Sequence, residues 1–205
     1  MPQVLKEEVR GRILRAALAE FAARGYVAAT MSSIAVRAEM GAPGLYRYYE
    51  SKEALFAAAI PESLARMFEG LLSRRVRALA AAVGPKDETG AEMLAFWEAH
   101  RLEVVILLGR AEGTPYAHFG TRFVDQLVEL TLAEMKVASG GHKVDAPTRF
   151  VLRHIFENTR TMLASILEAH EEPRAMRDAI EAFWSYQIAG LQGLTRKLTN
   201  VAAPK

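Results

Sequence analysis

Cysteine is absent from the 205 residues of this chain, and with it go disulfides, thiolate zinc sites and any thiol redox switch. Whatever the protein senses, it senses by binding. No stretch approaches the ~20 uninterrupted apolar residues of a membrane span. Met1-Pro2-Gln3 runs into charged sequence rather than into a signal peptide, so the expected location is cytoplasmic, with no membrane partner. Alternating strand-like runs, internal repeats and low-complexity tracts are missing as well. So are a phosphate-cradling glycine loop, a nucleotide-binding fingerprint and a nucleophile set beside a base. These absences predict an all-α protein that is not an enzyme and needs no cofactor. With 51% apolar residues the chain has enough for one large core or for a small head and a larger body. We expect two cores sharing one helix.

What is present is concentrated between Ile13 and Phe56. Ile13, Leu14, Ala17, Leu18 and Phe21 recur at spacings of three and four, the apolar face of a helix that ends at Gly25 after the basic Arg24. Thr30 supplies an N-cap hydroxyl for a second helix, Met31–Ala38, with Ile34 and Ala35 facing inward and Ser32 and Ser33 near its exposed start. A Glu39-Met40-Gly41 turn leads into a third short helix, Ala42–Tyr48, and Ser51 caps the next. Two short helices joined across a turn of about three or four residues make a helix-turn-helix, whose second member enters the DNA major groove.

These residues resemble the head of the TetR family of transcriptional regulators, whose pattern runs roughly T-x-x-x-I-A-x-x-A-G-V-S-x-G-x-L-Y-x-Y-F-x-S-K-E-x-L. The chain matches at Thr30, Ile34, Ala35, Ala38, Leu45, Tyr46, Tyr48, Ser51, Lys52, Glu53 and Leu55. It departs in the turn and at the groove, where Glu39, Met40, Gly41 and Pro43 replace glycine, valine, serine and glycine. Glycine serves as an N-cap and proline suits a first turn, so a helix beginning near Ala42 tolerates these changes. The resemblance implies phosphate contacts from Thr30, Tyr46, Tyr48 and Lys52, with Ser32 beside them. It also implies a base-reading surface of Ala42, Pro43, Gly44 and Arg47, which offers few side-chain donors. Its architecture would be a three-helix DNA-binding domain over residues 1–52 and a helical effector-binding and dimerisation domain over 53–205. The implied function is a repressor: a homodimer on a palindromic double-stranded operator, released by a small-molecule effector.

Charge agrees. Residues 1–52 carry eight Lys or Arg against five Asp or Glu, and the remainder eighteen against nineteen. A basic head suits phosphate, and a dimer doubles the surplus on one face.

Beyond the head, helices are expected over Ser51–Ala82 with a bend at Pro61, Gly90–Gly109, Pro115–Ser139, Pro147–His170 and Pro173–Leu198. Gly84-Pro85, Gly113-Thr114-Pro115, Gly140-Gly141 and Glu172-Pro173 punctuate them. The last two spread apolar residues over more than one face, Phe150, Val151, Ile155, Phe156, Met162, Leu163, Ile166 and Leu167 on one and Ile180, Phe183, Trp184, Ile188, Leu191, Leu194 and Leu198 on the other, with Ala179, Ala182, Ala189, Gly190 and Gly193 between. One core does not use them all, which predicts dimerisation through these two helices.

An effector pocket is expected among the central helices. In Gly90–Gly109, Met93, Trp97, His100, Arg101, Val104 and Leu108 follow helical spacing, so the polar pair His100 and Arg101 interrupts an otherwise apolar stripe; Phe119, Phe123, Phe156 and Arg160 add aromatic wall and charge. Arg110–Tyr116 is expected beside this pocket. A different class of function stays open: a metal-dependent helical-bundle enzyme or a metal-sensing regulator. His100 with Glu103, and His154 with Glu157, each put nitrogen and oxygen on one helix face.

Overall fold

The computed structural model describes residues 3–80, 88–141 and 143–202, with side chains over 6–78, 88–137, 139–141 and 143–196. Among the described residues every regular element is a helix: α1 (Gln3–Ala28), α2 (Met31–Arg37), α3 (Ala42–Tyr46), α4 (Lys52–Ala59), α5 (Glu62–Ala80), α6 (Glu88–Ala99), α7 (Arg101–Gly109), α8 (Phe119–Ala138), α9 (Ala146–Ala169) and α10 (Pro173–Ala202). The expected helix end at Ala82 and the break at Gly84-Pro85 lie outside the described residues.

Local signals account for most boundaries. Gly25, at φ 77° and ψ 159°, breaks the helical run of α1. Thr30, Ser51 and Asp145 cap α2, α4 and α9, each accepting from a backbone N–H three residues on. Pro61 separates α4 from α5, so the bend expected within one helix is a join between two. Gly90–Gly109 is likewise two helices. His100 sits at φ −127° and ψ 37°, outside helical geometry, and α7 starts afresh from it. The Pro115–Ser139 helix begins late, at Phe119, because Thr114 closes a turn with its hydroxyl donating to the Ala111 carbonyl at 2.7 Å.

The chain divides into two compact units. The first comprises Met1–Glu69 and His100–Gly120, so it runs past residue 52 and takes in a distant segment. Its core joins Ile13, Ala17 and Phe21 of α1 to Ile34, Leu45, Leu55 and Phe56, all buried. Phe21, Tyr26 and Phe56 meet pairwise with ring centroids 5.0–5.7 Å apart. In α7, Val104 to Leu108 are all buried, as befits a helix apolar all round, and α7 packs along α1. The second unit comprises Gly70–Ala99 and Thr121–Lys205. Within it α9 and α10 are pinned by a buried bond in which Gln187 Nε2 donates to Thr159 Oγ1 at 2.8 Å.

Candidate nucleic-acid interface and effector cavity

The helix-turn-helix is built by reciprocal capping. Thr30 Oγ1 accepts from the Ser33 N–H at 3.0 Å, and the Thr30 N–H donates to Ser33 Oγ at 3.1 Å, a capping box that squares off α2. At its far end the Glu39 N–H donates to the Val36 carbonyl and the Met40 N–H to that of Ala35, both at 3.0 Å, with Glu39 at φ 53°. This is a Schellman turn whose left-handed position holds a glutamate where glycine is favoured. Gly41 caps α3, Pro43 lies in its first turn and Leu45 anchors it with no exposed surface.

The residues expected to contact DNA fall into two groups. Thr30, Ser32, Pro43, Tyr46 and Arg47 are exposed, whereas Ala42, Gly44, Tyr48 and Lys52 are half-buried. Gly44 has a use inside the protein: a Cβ there would stand 3.1 Å from the methyl of Met40. Its missing side chain makes room for Met40 as well as for any backbone approach to DNA.

Lys52 differs most from the expectation of a phosphate contact. Its ammonium donates to the carbonyls of Tyr26 at 2.9 Å, Ala29 at 3.0 Å and Val27 at 3.4 Å, and lies 4.3 Å from the Tyr26 ring centroid. An ammonium has three hydrogens, and its three acceptors lie at the end of α1 and on Ala29 just after it. The next residue reinforces the grip, as Tyr26 Oη donates to Glu53 Oε1 at 2.8 Å. Burial, then the Glu53 bond and charge, push the Tyr26 hydroxyl up to about 12. A second tie escaped the sequence reading. Glu20, buried in α1, accepts from Arg37 Nε of α2 at 3.2 Å and from Arg24 at 3.4 Å. Burial pushes this carboxyl up, but Ser33, Arg37 and Arg24 together outweigh it, and it titrates below the ordinary carboxylate value.

Arg110–Tyr116 is not a cavity rim. It packs on the end of α1: the Tyr26 N–H donates to the Arg110 carbonyl at 2.9 Å, and a Cβ on Gly113 would meet Val27 at 3.4 Å. Tyr116 faces Phe56 at 6.4 Å.

A cavity of about 740 Å³ opens inside the second unit, walled by α5, α6, α8, α9 and α10. Trp97, Phe123 and Phe156 stand in its wall. His100, Arg101 and Phe119 belong to the other unit, and Arg160 is not part of the wall. The helix break at His100 is the reason: Trp97 and Arg101 are four residues apart yet no longer on one helix axis. His100 Nδ1 lies 3.4 Å from Glu103, Phe119 stacks on Phe68 at 5.5 Å, and Arg160 donates to Glu157 at 3.1 Å. Arg75, Trp184 and Gln187 complete the wall and were not foreseen there. The available signal was the 180, 184, 187, 188, 191 spacing along α10, which the dimer reading had absorbed. Among the described residues no group of three or more potential metal ligands gathers. His154 is exposed, against Phe150 at 4.3 Å.

The sequence model of bacterial regulatory proteins of the tetR family matches residues 13–59. An uncharacterised HTH-type transcriptional regulator, YdgC of Bacillus subtilis, is 42% identical over 60 residues, covering 29% of this chain and 31% of that protein. The HTH-type transcriptional activator FasR of Mycolicibacterium smegmatis is 36% identical over 93 residues, 45% of this chain and 41% of its own. The matches thus span about a third to two-fifths of these relatives. A solved TetR-family regulator from Streptomyces coelicolor is 19% identical, covers 97% of this chain and 90% of its own, and superposes with a TM-score of 0.43. The capped α2, the Schellman turn, the proline-started α3 and the Ser51 cap all lie within the matched segment. Through that head, residues 13–59, the chain matches the bacterial regulatory proteins of the tetR family.

Proposed function

We propose that this protein is a ligand-responsive repressor that binds a palindromic operator as a homodimer and lets go when a small molecule occupies the cavity of the second unit. In this reading residues 1–52 touch DNA, and the effector and the partner subunit are taken by residues beyond them. The observation that carries it is the capped helix-turn-helix in a chain that also holds a mostly apolar cavity of small-molecule size.

Dimerisation draws support from α9 and α10. Phe150, Val151, Met162 and Tyr186 are exposed, and a Cβ on Gly190 or Gly193 would meet nothing within 4 Å. These faces are where the core leaves apolar surface unspent. Phe156, Leu163, Ile166, Leu167 and Ile180 are buried within the unit and are not available to a partner. For release, the effector must bind more tightly to a state whose heads no longer span successive major grooves about 34–36 Å apart.

The deciding experiment pairs selection of operators from random DNA with an electrophoretic shift assay across an effector library. A compound that lowers affinity for the selected palindrome supports the repressor. A compound that raises it, or raises transcription of a linked reporter, supports activation, the role printed in the name of the Mycolicibacterium smegmatis relative.

A further inference from the structure

The effector cavity carries chemical detail beyond its size. Both tryptophans of the chain, Trp97 and Trp184, stand in its wall, with Phe123 and Phe156 beside them. Trp97 is 3% exposed, and its indole Nε1 is the sole buried side-chain nitrogen or oxygen among the described residues with no hydrogen-bond partner. A buried indole N–H ordinarily finds an acceptor, because an unmade bond leaves the whole cost of desolvation standing. Such an orphan in a cavity wall is explained by an acceptor that arrives with a ligand.

Charge narrows the ligand. The wall contains two arginines, Arg75 and Arg196, and two glutamates, Glu134 and Glu181, so it offers no net charge to select an ion. Arg101, which the sequence placed in the expected pocket, lies in the other unit. Four aromatic side chains in the wall favour a flat ring system over a flexible chain.

We propose, resting on the effector reading above, that the cavity takes an uncharged ring-bearing molecule with a carbonyl or ether oxygen, and that the Trp97 indole N–H donates to that oxygen. The indole must turn to make this bond, because its N–H has almost no accessible surface in the cavity wall. Occupancy then replaces an unpaired buried donor by a paired one, so the site discriminates against the same ring lacking oxygen, as sites with buried polar groups do.

The test uses 2-acetylnaphthalene and 2-ethylnaphthalene, near-isosteres that differ in one acceptor. Titration calorimetry on the full chain is expected to show the ketone binding at least fivefold more tightly to the unmodified protein. That preference should vanish in Trp97→Phe. With two tryptophans, Trp184→Phe assigns the Trp97 indole ¹⁵N–¹H resonance, which should move downfield with the ketone alone; this readout decides even if Trp97→Phe fails to fold. A ketone preference that survives in Trp97→Phe, or no preference and no resonance shift in the unmodified protein, overturns the inference while leaving the effector cavity standing. If neither probe binds any folded variant, the cavity reading falls and the inference with it.

Discussion

At Lys52 an ammonium that the family pattern would hand to a phosphate holds three carbonyls of the protein instead. Removing it strands those carbonyls and frees the segment before α2. Lys52→Ala is therefore expected to lower the stability of the head by about 1.5–3 kcal/mol, the usual worth of hydrogen bonds to a charged group, and to weaken binding to every DNA sequence alike. Thermal melting read beside the salt dependence of DNA binding checks this: an unchanged melt with a flattened salt slope would mean that the ammonium serves phosphate. Glu20 sets an acid limit. Its carboxyl titrates below the ordinary 4.5 when folded, so its stabilisation is fully present above that value and is lost as pH falls through the lowered one. Glu20→Gln should cost about 1.5–3 kcal/mol at neutral pH and make the acid limb of the stability curve shallower. Tyr26 sets an alkaline limit with the opposite sign. Raised from 10 to about 12, its hydroxyl contributes fully below pH 10 and loses that contribution as pH climbs toward 12. Tyr26→Phe should flatten the alkaline limb, followed by circular dichroism.

The turn between α2 and α3 keeps Glu39 in left-handed geometry, which costs a side-chain-bearing residue roughly 1–2 kcal/mol. Glu39→Gly is expected to recover about 1 kcal/mol of that in a chemical denaturation series, and it also removes an exposed negative charge from the DNA-binding head. Destabilisation by this change would show that the glutamate side chain makes a compensating bond. The α3 helix that follows is only five residues long and exposes Pro43 and Tyr46, with Arg47 exposed just after it. With so few donors for bidentate readout, operator preference should be shallow and lean on DNA deformability, giving a palindrome rich in A·T steps. Selection from random DNA checks this, and a strong guanine preference abolished by Arg47→Ala would show that arginine readout dominates. The break at His100 has the larger structural consequence, because it sends α6 and α7 to different units.

For the whole molecule, the proposed assembly rests on the exposed apolar residues of α9 and α10. Met162→Glu places a charge where the proposed partner subunit would bury apolar surface, and because Met162 is exposed in the single chain the fold should survive. Light scattering is expected to show a monomer with native helix content and at least tenfold weaker operator binding, since one head then pays alone for what two heads shared. A variant that remains dimeric would move the interface elsewhere.

The sequence by itself determined what depends on neighbours along the chain. Apolar spacing, the Thr30 and Ser51 caps, the Gly25 stop and the proline-started α3 involve partners within about four residues, so composition and order suffice to read them. The TetR head was legible for that reason. Tertiary structure alone decided everything that spans longer separations. Lys52 reaches carbonyls 23 to 26 residues away, Glu20 reaches Arg37, and α7 joins the head it follows by some fifty residues. The cavity was half legible: Trp97, Phe123 and Phe156 were identifiable as aromatics on inward faces, but their separation from His100 and Arg101 rests on one backbone conformation at His100. Periodicity assumes that a helix continues, and a single residue outside helical dihedrals turns every later side chain to a different neighbour.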